Sequence, residues 1–259
     1  MTTVLVLAVE LADGVGAWFT GRDTRTDPAV GAAGNLSHHR PHLPTELARD
    51  RAAACTRMGL SVDRLHLMRQ VHGAAVGVVD AATPLGAELR GVDALVTDVA
   101  DRPLVVQVAD CVPVLLAAGP AVGVAHAGRR GVAEGVVPAA VTALAERAEG
   151  GAVRAAIGPA IGGCCYEVPA EVRDHLGALH PEAATETTWG TPSLDLAVAV
   201  RNQLEAAGAA VVTDLASCTR CDTEQRWFSH RADPRTGRQL GVVVRRAAGA
   251  RDGVGERAA

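Results

Sequence analysis

The stretch Val122-Gly123-Val124-Ala125-His126-Ala127-Gly128-Arg129-Arg130-Gly131 decides the fold class. Val122 to Ala125 is apolar and β-prone, which suits a buried strand, and His126 stands at its end. Gly128 and Gly131 then turn the chain into an amphipathic helix predicted to run to about Arg147. Strand, glycine turn and helix together are a unit of α/β proteins. The unit also sets His126 beside a helix N-terminus, where backbone N–H groups and the helix dipole favour an anion.

Working outward, the same alternation recurs. Upstream, Val4 to Val9 and Val15 to Phe19 read as an opening hairpin, followed by a polar loop through Asn35-Leu36-Ser37-His38-His39-Arg40. Glu46 to Met58 has helical spacing and stops at Gly59, and a strand from Leu65 to Val71 leads into His72-Gly73. Ala74 to Val79 and Ala94 to Thr97 are further strands. Leu104 to Ala117 is a long apolar run interrupted by Gln107, Asp110, Cys111 and Pro113, and polar groups in so buried a segment need a reason. Downstream come a strand at Val153 to Ile157, the turn Gly158-Pro159, helices at Pro169 to Leu179 and Leu194 to Ala207, and strands near Val211 and Leu240 to Val244. With no internal repeat and no linker, this predicts a single α/β domain over residues 1–246, built of mixed sheets with flanking helices. Residues 247–259 are Gly, Ala and charge without periodicity and are expected to form a disordered tail.

Composition narrows the function. The 259 residues are 48% hydrophobic but only 2% aromatic, so Val, Ala and Leu must fill the interior. All 25 basic residues are Arg. Without Lys there is no Schiff-base nucleophile, no pyridoxal phosphate site and no Walker-type phosphate loop, and any anion falls to arginines. A formal net charge of -4 with no basic stripe argues against nucleic acid. The apolar run Thr3 to Val9 lacks the basic start and length of a secretory signal, and no run reaches membrane-spanning length. A cytoplasmic protein is expected, with its six irregularly spaced cysteines reduced.

Three segments bring metal-competent side chains to strand ends: Gln70-Val71-His72-Gly73, Ala109-Asp110-Cys111-Val112-Pro113 and Ala125-His126-Ala127-Gly128. Taken singly, a His at a strand end is more often a capped or surface residue, and a Cys a small core hydrophobe. Together His72, Cys111 and His126 read as one mononuclear site. Two imidazoles and a thiolate suit zinc, with a fourth position for water or substrate. Asp110 is placed either as the partner that orients an imidazole or as a cap of the turn that follows. Cys164-Cys165 with Cys218-Thr219-Arg220-Cys221 offers four thiolates. Local packing is the favoured reading there, because adjacent cysteines rarely share one tetrahedral ion and no second CxxC exists. His38, His39 and His42 read as solvated and receive no role.

These motifs, with Gly158-Pro159-Ala160-Ile161-Gly162-Gly163-Cys164-Cys165-Tyr166-Glu167-Val168, Phe228-Ser229-His230-Arg231 and Thr236-Gly237-Arg238, resemble the laccase-domain family of purine nucleoside phosphorylases, also labelled multicopper polyphenol oxidases. The matched segments run in order from about Asn35 to Val244. The resemblance implies a fold of the cysteine-hydrolase-like type and zinc on His72, Cys111 and His126, with copper as the alternative metal. It also implies phosphorolysis of adenosine, inosine and methylthioadenosine and deamination of adenosine. Partners would then be purine nucleosides and phosphate, held by Asn35, Arg51 and Arg130, on a monomer or homodimer. Some relatives are instead assigned to editing of peptidoglycan precursors, which would use Cys111 as a nucleophile. The multicopper reading needs several clustered His pairs that the sequence does not present.

The chain departs from the family pattern in places. Arg129 stands where the motif HAGWRG has Trp, so Arg130 is the motif arginine. Asp50-Arg51 replaces an Asn-Arg pair, Asn35-Leu36-Ser37 is a partial match to a longer Ser-x-Asn-Leu-Gly segment, and His230 replaces a common Tyr.

Overall fold

The opening hairpin forms where the sequence places it, β1 (Leu5–Ala8) pairing antiparallel with β2 (Val15–Gly21). The structure is a computed structural model that describes residues 4–22, 34–40, 42–215 and 217–247; the expected tail beyond Ala247 lies outside them. In chain order there follow α1 (Pro44–Met58), β3 (Leu67–Arg69), β4 (Val76–Val78), β5 (Glu88–Arg90), β6 (Ala94–Thr97), β7 (Leu104–Val108), β8 (Val112–Ala118) and β9 (Ala121–Ala127). The second half comprises α2 (Arg129–Glu134), α3 (Val136–Ala145), β10 (Arg154–Ile157), α4 (Ala170–Leu179), β11 (Ala184–Glu186), β12 (Pro192–Leu194), α5 (Leu196–Ala206), β13 (Ala210–Asp214) and β14 (Gln239–Arg245). No helix among the described residues is long and apolar enough to cross a membrane.

Two sheets carry the structure: a four-stranded one in the order β1-β2-β14-β7 and a six-stranded one in the order β13-β10-β8-β9-β6-β4. They pack face to face. Phe19, Val106, Val108 and Val243 from the first meet Leu95, Leu115, Val122, Val124 and Ala156 from the second. Because successive strand residues point to opposite faces, the alternate positions Val114, Leu116, Ala125, Ala155 and Ile157 bury against α3 and α5. On the far side, Val105 and Val242 bury against Ala54, Cys55 and Met58 of α1. The result is a mixed α/β fold of four layers. Strands covered on both faces read as unbroken apolar runs without alternation, which is why β8 and β9 carry no period-two signal.

Two expectations needed revision. The apolar run Leu104 to Ala117 is two strands in different sheets, and Ala109-Asp110-Cys111 carries the chain across between them with Asp110 at φ 89°. The helix expected from Gly128 to Arg147 is two, because Gly135 at φ 84° ends α2 in the left-handed conformation and α3 restarts from it. The short strands β5, β11 and β12 carried no strand signal in the sequence.

The contact between the sheets is tight at Gly158, just past β10, where an added Cβ would lie 2.4 Å from Cε1 of Phe19. Gly158→Ala is expected to destabilise the protein by about 1–3 kcal/mol through overpacking. Urea denaturation should show a lower midpoint at unchanged slope.

Candidate functional site

Strand register brings the three candidate ligands together. In the antiparallel pair β8–β9, Pro113 faces His126 and Val112 faces Ala127, so Cys111 arrives beside the end of β9. His126 shares the face of Val122 and Val124, toward the opposite sheet. In the pair β6–β9, Ala94 faces Ala125, and His126 N–H donates to Asp93 C=O at 2.7 Å. Asp93 thus stands beside His126, and its carboxylate accepts the Nδ1–H of that imidazole at 2.7 Å. The same carboxylate accepts the backbone N–H groups of Val71, His72 and Gly73 at 3.1, 2.9 and 2.8 Å. This holds His72 in a turn at φ 62°, a conformation disfavoured for a residue with a Cβ.

The outcome is a compact donor set. Cys111 Sγ lies 3.8 Å from His72 Nε2, the two imidazoles meet edge to face with centroids 4.6 Å apart, and one ligand atom from each residue lies within 4.8 Å of the others. Bonds of about 2.3 Å to sulfur and 2.0–2.1 Å to nitrogen place neighbouring ligands of a tetrahedral zinc about 3.6 Å apart, so the set fits such an ion. Asp93 fixes the tautomer of His126 and leaves Nε2 for a ligand bond. Gly128 is required by proximity: a Cβ there would lie 2.8 Å from His72 Cδ2 and 3.1 Å from Cys111 Sγ.

Electrostatics favour a thiolate. Burial works against ionising Cys111, but His126 and His72 more than offset it and bring the thiol down to about 6. Burial likewise opposes a charge on His126, yet Cys111 and Asp93 raise it to about 9. For Asp93, burial is outweighed by His126 and the amide donors, which hold the carboxyl below the usual range.

The donor set lies at the wall of a cleft of about 780 Å³, also lined by Arg40, Arg69, Arg129, Arg130, Arg231 and Arg238. Among the described residues, only Arg130 of these six has a carboxylate partner, Glu134 at 3.3 Å. Arg231 lies over the ring of Tyr166 at 5.0 Å. Gln107, a lining residue, is 6% exposed, and its buried side-chain amide has no hydrogen-bond partner among the described residues. Buried amides without partners are rare in folded proteins.

The structure places the other predicted residues variously. Asp110 does not orient an imidazole: its carboxylate accepts the Thr219 hydroxyl and the Arg231 N–H, each at 2.6 Å, and Asp93 fills the imidazole role. The sequence signal for Asp93 was a lone carboxylate at the entrance of an apolar strand, which needs buried donors. Arg130 lines the cleft but also bonds the carbonyls of His72, at 2.9 Å, and Val71, bracing the His72 turn. Asn35 and Arg51 are not among the lining residues. Asn35 is buried and its side chain bonds Ser37 and Arg238, while Arg51 bonds Leu36 C=O and His38. Asp50-Arg51 sits inside α1 and not ahead of it, Asp50 accepting the Gly34 N–H at 3.0 Å. Arg231 and Arg238 of the quoted motifs stand in the cleft, as do Arg40, Arg129 and Tyr166, which carried no assignment.

Comparison with known proteins identifies the family. The family described as multi-copper polyphenol oxidoreductase laccase matches residues 16–246. A purine nucleoside phosphorylase of Streptomyces coelicolor is 46% identical over 205 residues, 77% of this chain and 83% of the relative. The purine nucleoside phosphorylase YlmD of Geobacillus stearothermophilus is 37% identical over 229 residues, 82% of this chain and 83% of the relative. Its crystal structure superposes with a TM-score of 0.75, covering 91% of this chain and 93% of that one. The crystal structure of Bacillus licheniformis hypothetical protein YfiH superposes with a TM-score of 0.80 at 28% identity, covering 93% and 96%. With matches that span most of its length in sequence and structure alike, this chain belongs to the laccase-domain family that includes proteins named purine nucleoside phosphorylase.

Proposed function

We propose that the protein is a zinc-dependent purine nucleoside phosphorylase that also deaminates adenosine. The observation that carries the reading is the convergence of His72, Cys111 and His126 beside Arg129, Arg231 and Arg238, which have no carboxylate partner among the described residues. The names of the relatives support it. The same reading assigns the sheets to the cysteine-hydrolase-like type on the strength of the resemblance.

His72, Cys111 and His126 would hold the ion, and three protein ligands are the number found in catalytic zinc sites. When bound, zinc supplies Lewis-acid polarisation of an oxygen-bearing reactant. In phosphorolysis of adenosine, inosine or methylthioadenosine, the bond from ribose C1′ to the base nitrogen breaks and a bond from C1′ to a phosphate oxygen forms. The base leaves with the electron pair and takes the proton that phosphate gives up. Arg129, Arg231 and Arg238 suit the phosphate, since guanidinium N–H pairs match its oxygens. The Gln107 amide offers a donor and an acceptor to the nucleoside. In deamination, water would replace the amino group of adenosine and ammonia would leave.

A second reading has its own observation: Cys111 lies 3.8 Å from an imidazole nitrogen, within the arrangement of a cysteine nucleophile and its base. Peptidoglycan-precursor editing would use it so. Metal content separates the two, because a thiolate committed to zinc is a poor free nucleophile.

The zinc assignment makes a direct prediction. Elemental analysis should find that Cys111→Ala loses the zinc held by the triad, while Asp93→Asn binds it about 10–100-fold more weakly, since partners that orient ligands carry effects of that size. Full retention of that zinc in the Cys111 variant would remove the assignment.

Incubated with adenosine and phosphate, the protein should release adenine and ribose 1-phosphate, and without phosphate inosine and ammonia. Chelation should stop both reactions and zinc should restore them. Phenol oxidation by copper-loaded protein at rates far above nucleoside turnover would replace this reading with an oxidase.

Arg231→Ala removes a charged donor from the cleft. It should raise the Michaelis constant for phosphate about 10- to 100-fold, the equivalent of a lost hydrogen bond to a charged group. Steady-state kinetics with varied phosphate measures it, and an unchanged constant would assign phosphate to other arginines.

A further inference from the structure

We propose that Cys164, Cys165, Cys218 and Cys221 form a second metal site, a four-thiolate structural zinc centre that fastens the loop after β10 to the segment after β13. The four sulfur atoms lie within 4.8 Å of one another, and Cys164 Sγ is 3.7 Å from Cys221 Sγ. A tetrahedron with zinc–sulfur bonds of about 2.3 Å has edges of about 3.8 Å. The observed separation is therefore that of two ligands of one ion. It is far from the bond of about 2.05 Å that would join the sulfurs as a disulfide.

The fold explains the meeting. Strands β10 and β13 run parallel as neighbours, so the segments leaving their C-terminal ends emerge together. They are stitched by Ala160 N–H to Ser217 C=O at 3.2 Å and Thr219 N–H to Ala160 C=O at 3.0 Å. The objection to adjacent cysteines holds for extended backbone, where neighbours point apart. Cys164-Cys165 instead lies in a turn closed by Cys165 and Tyr166 N–H groups on Gly162 C=O, at 2.9 and 3.0 Å. Both sulfurs consequently face Cys218 and Cys221.

The surroundings suit thiolates around a cation. Gly162 N–H donates to Cys218 Sγ at 3.3 Å. A divalent ion supplies the charge that lets all four ionise together, and its binding releases protons without any change of oxidation state. Cys221 is exposed, which gives an ion a way in.

The site would also brace the cleft. Thr219, between two of its ligands, donates its hydroxyl to the Asp110 carboxylate at 2.6 Å, and Asp110 C=O accepts Ile161 N–H at 2.9 Å. Asp110 adjoins Cys111, so the four-thiolate centre anchors the turn that presents Cys111. The proposal is independent of what the triad binds.

The test is zinc analysis combined with X-ray absorption at the zinc edge. Wild-type protein, isolated under reducing conditions with zinc present, should carry two zinc ions per chain with a sulfur-dominated average shell at about 2.3 Å. Cys111→Ala should keep one zinc, surrounded by sulfur alone. Cys221→Ser should lose that ion and keep one with a mixed nitrogen and sulfur shell. Wild-type protein that holds a single zinc with an all-sulfur shell, retained in Cys111→Ala, would uphold this centre and remove zinc from the triad. If the variants fail to fold, the wild-type spectrum decides alone: more than one sulfur per zinc upholds the proposal, and one or fewer overturns it. A disulfide among the four cysteines, found by mass spectrometry of unreduced, alkylated protein, would overturn it as well.

Discussion

The Asp93 carboxylate organises this site. It is fully buried and accepts four hydrogen bonds, from the amides of Val71, His72 and Gly73 and from Nδ1 of His126. A buried carboxylate without partners costs several kcal/mol, and removing one partner of a buried ion pair costs about 3–5 kcal/mol. Asp93 therefore has no low-energy arrangement except with these donors around it. That requirement fixes the turn after β3, holds His72 at a positive φ and sets the tautomer of His126. Two of the three candidate ligands are positioned by one side chain that ligates nothing.

The third is positioned by a second aspartate. Asp110 takes the left-handed conformation in the crossing from one sheet to the other, and its carboxylate accepts a hydroxyl from Thr219 and an amide from Arg231. Strain at such positions persists where surrounding bonds over-determine it. Asp110 links Cys111 to the cysteine-rich loops and to an arginine of the cleft. The candidate ligands thus sit between two carboxylate hubs that draw donors from distant parts of the chain.

The cleft owes its charge to what it lacks. Arg40 and Arg238 give their N–H groups to carbonyls of residues 234–237 and Arg231 gives one to Glu167 C=O, so none is neutralised by a carboxylate among the described residues. Carbonyl partners orient a guanidinium without cancelling its charge, which preserves attraction for an anionic ligand. Gln107 adds a neutral amide to the same wall.

The sequence by itself determined the strand, glycine turn and helix around His126, the end of α1 at Gly59, the interleaving of strands and helices, and the choice of His72, Cys111 and His126 as candidates that the fold brings together. These features are local: a glycine at a turn, an apolar run, or a reactive residue at a strand end leaves its mark within a few positions. Tertiary structure alone decided that Leu104 to Ala117 divides between two sheets, because a strand buried on both faces looks the same in either. It alone named Asp93 rather than Asp110 as the partner of an imidazole, since both are single acids in apolar surroundings and only the β6–β9 register puts one of them next to His126. The gathering of Cys164, Cys165, Cys218 and Cys221 belongs to the same class. Fifty-odd residues separate the two pairs, and it is the parallel packing of β10 on β13 that closes the distance.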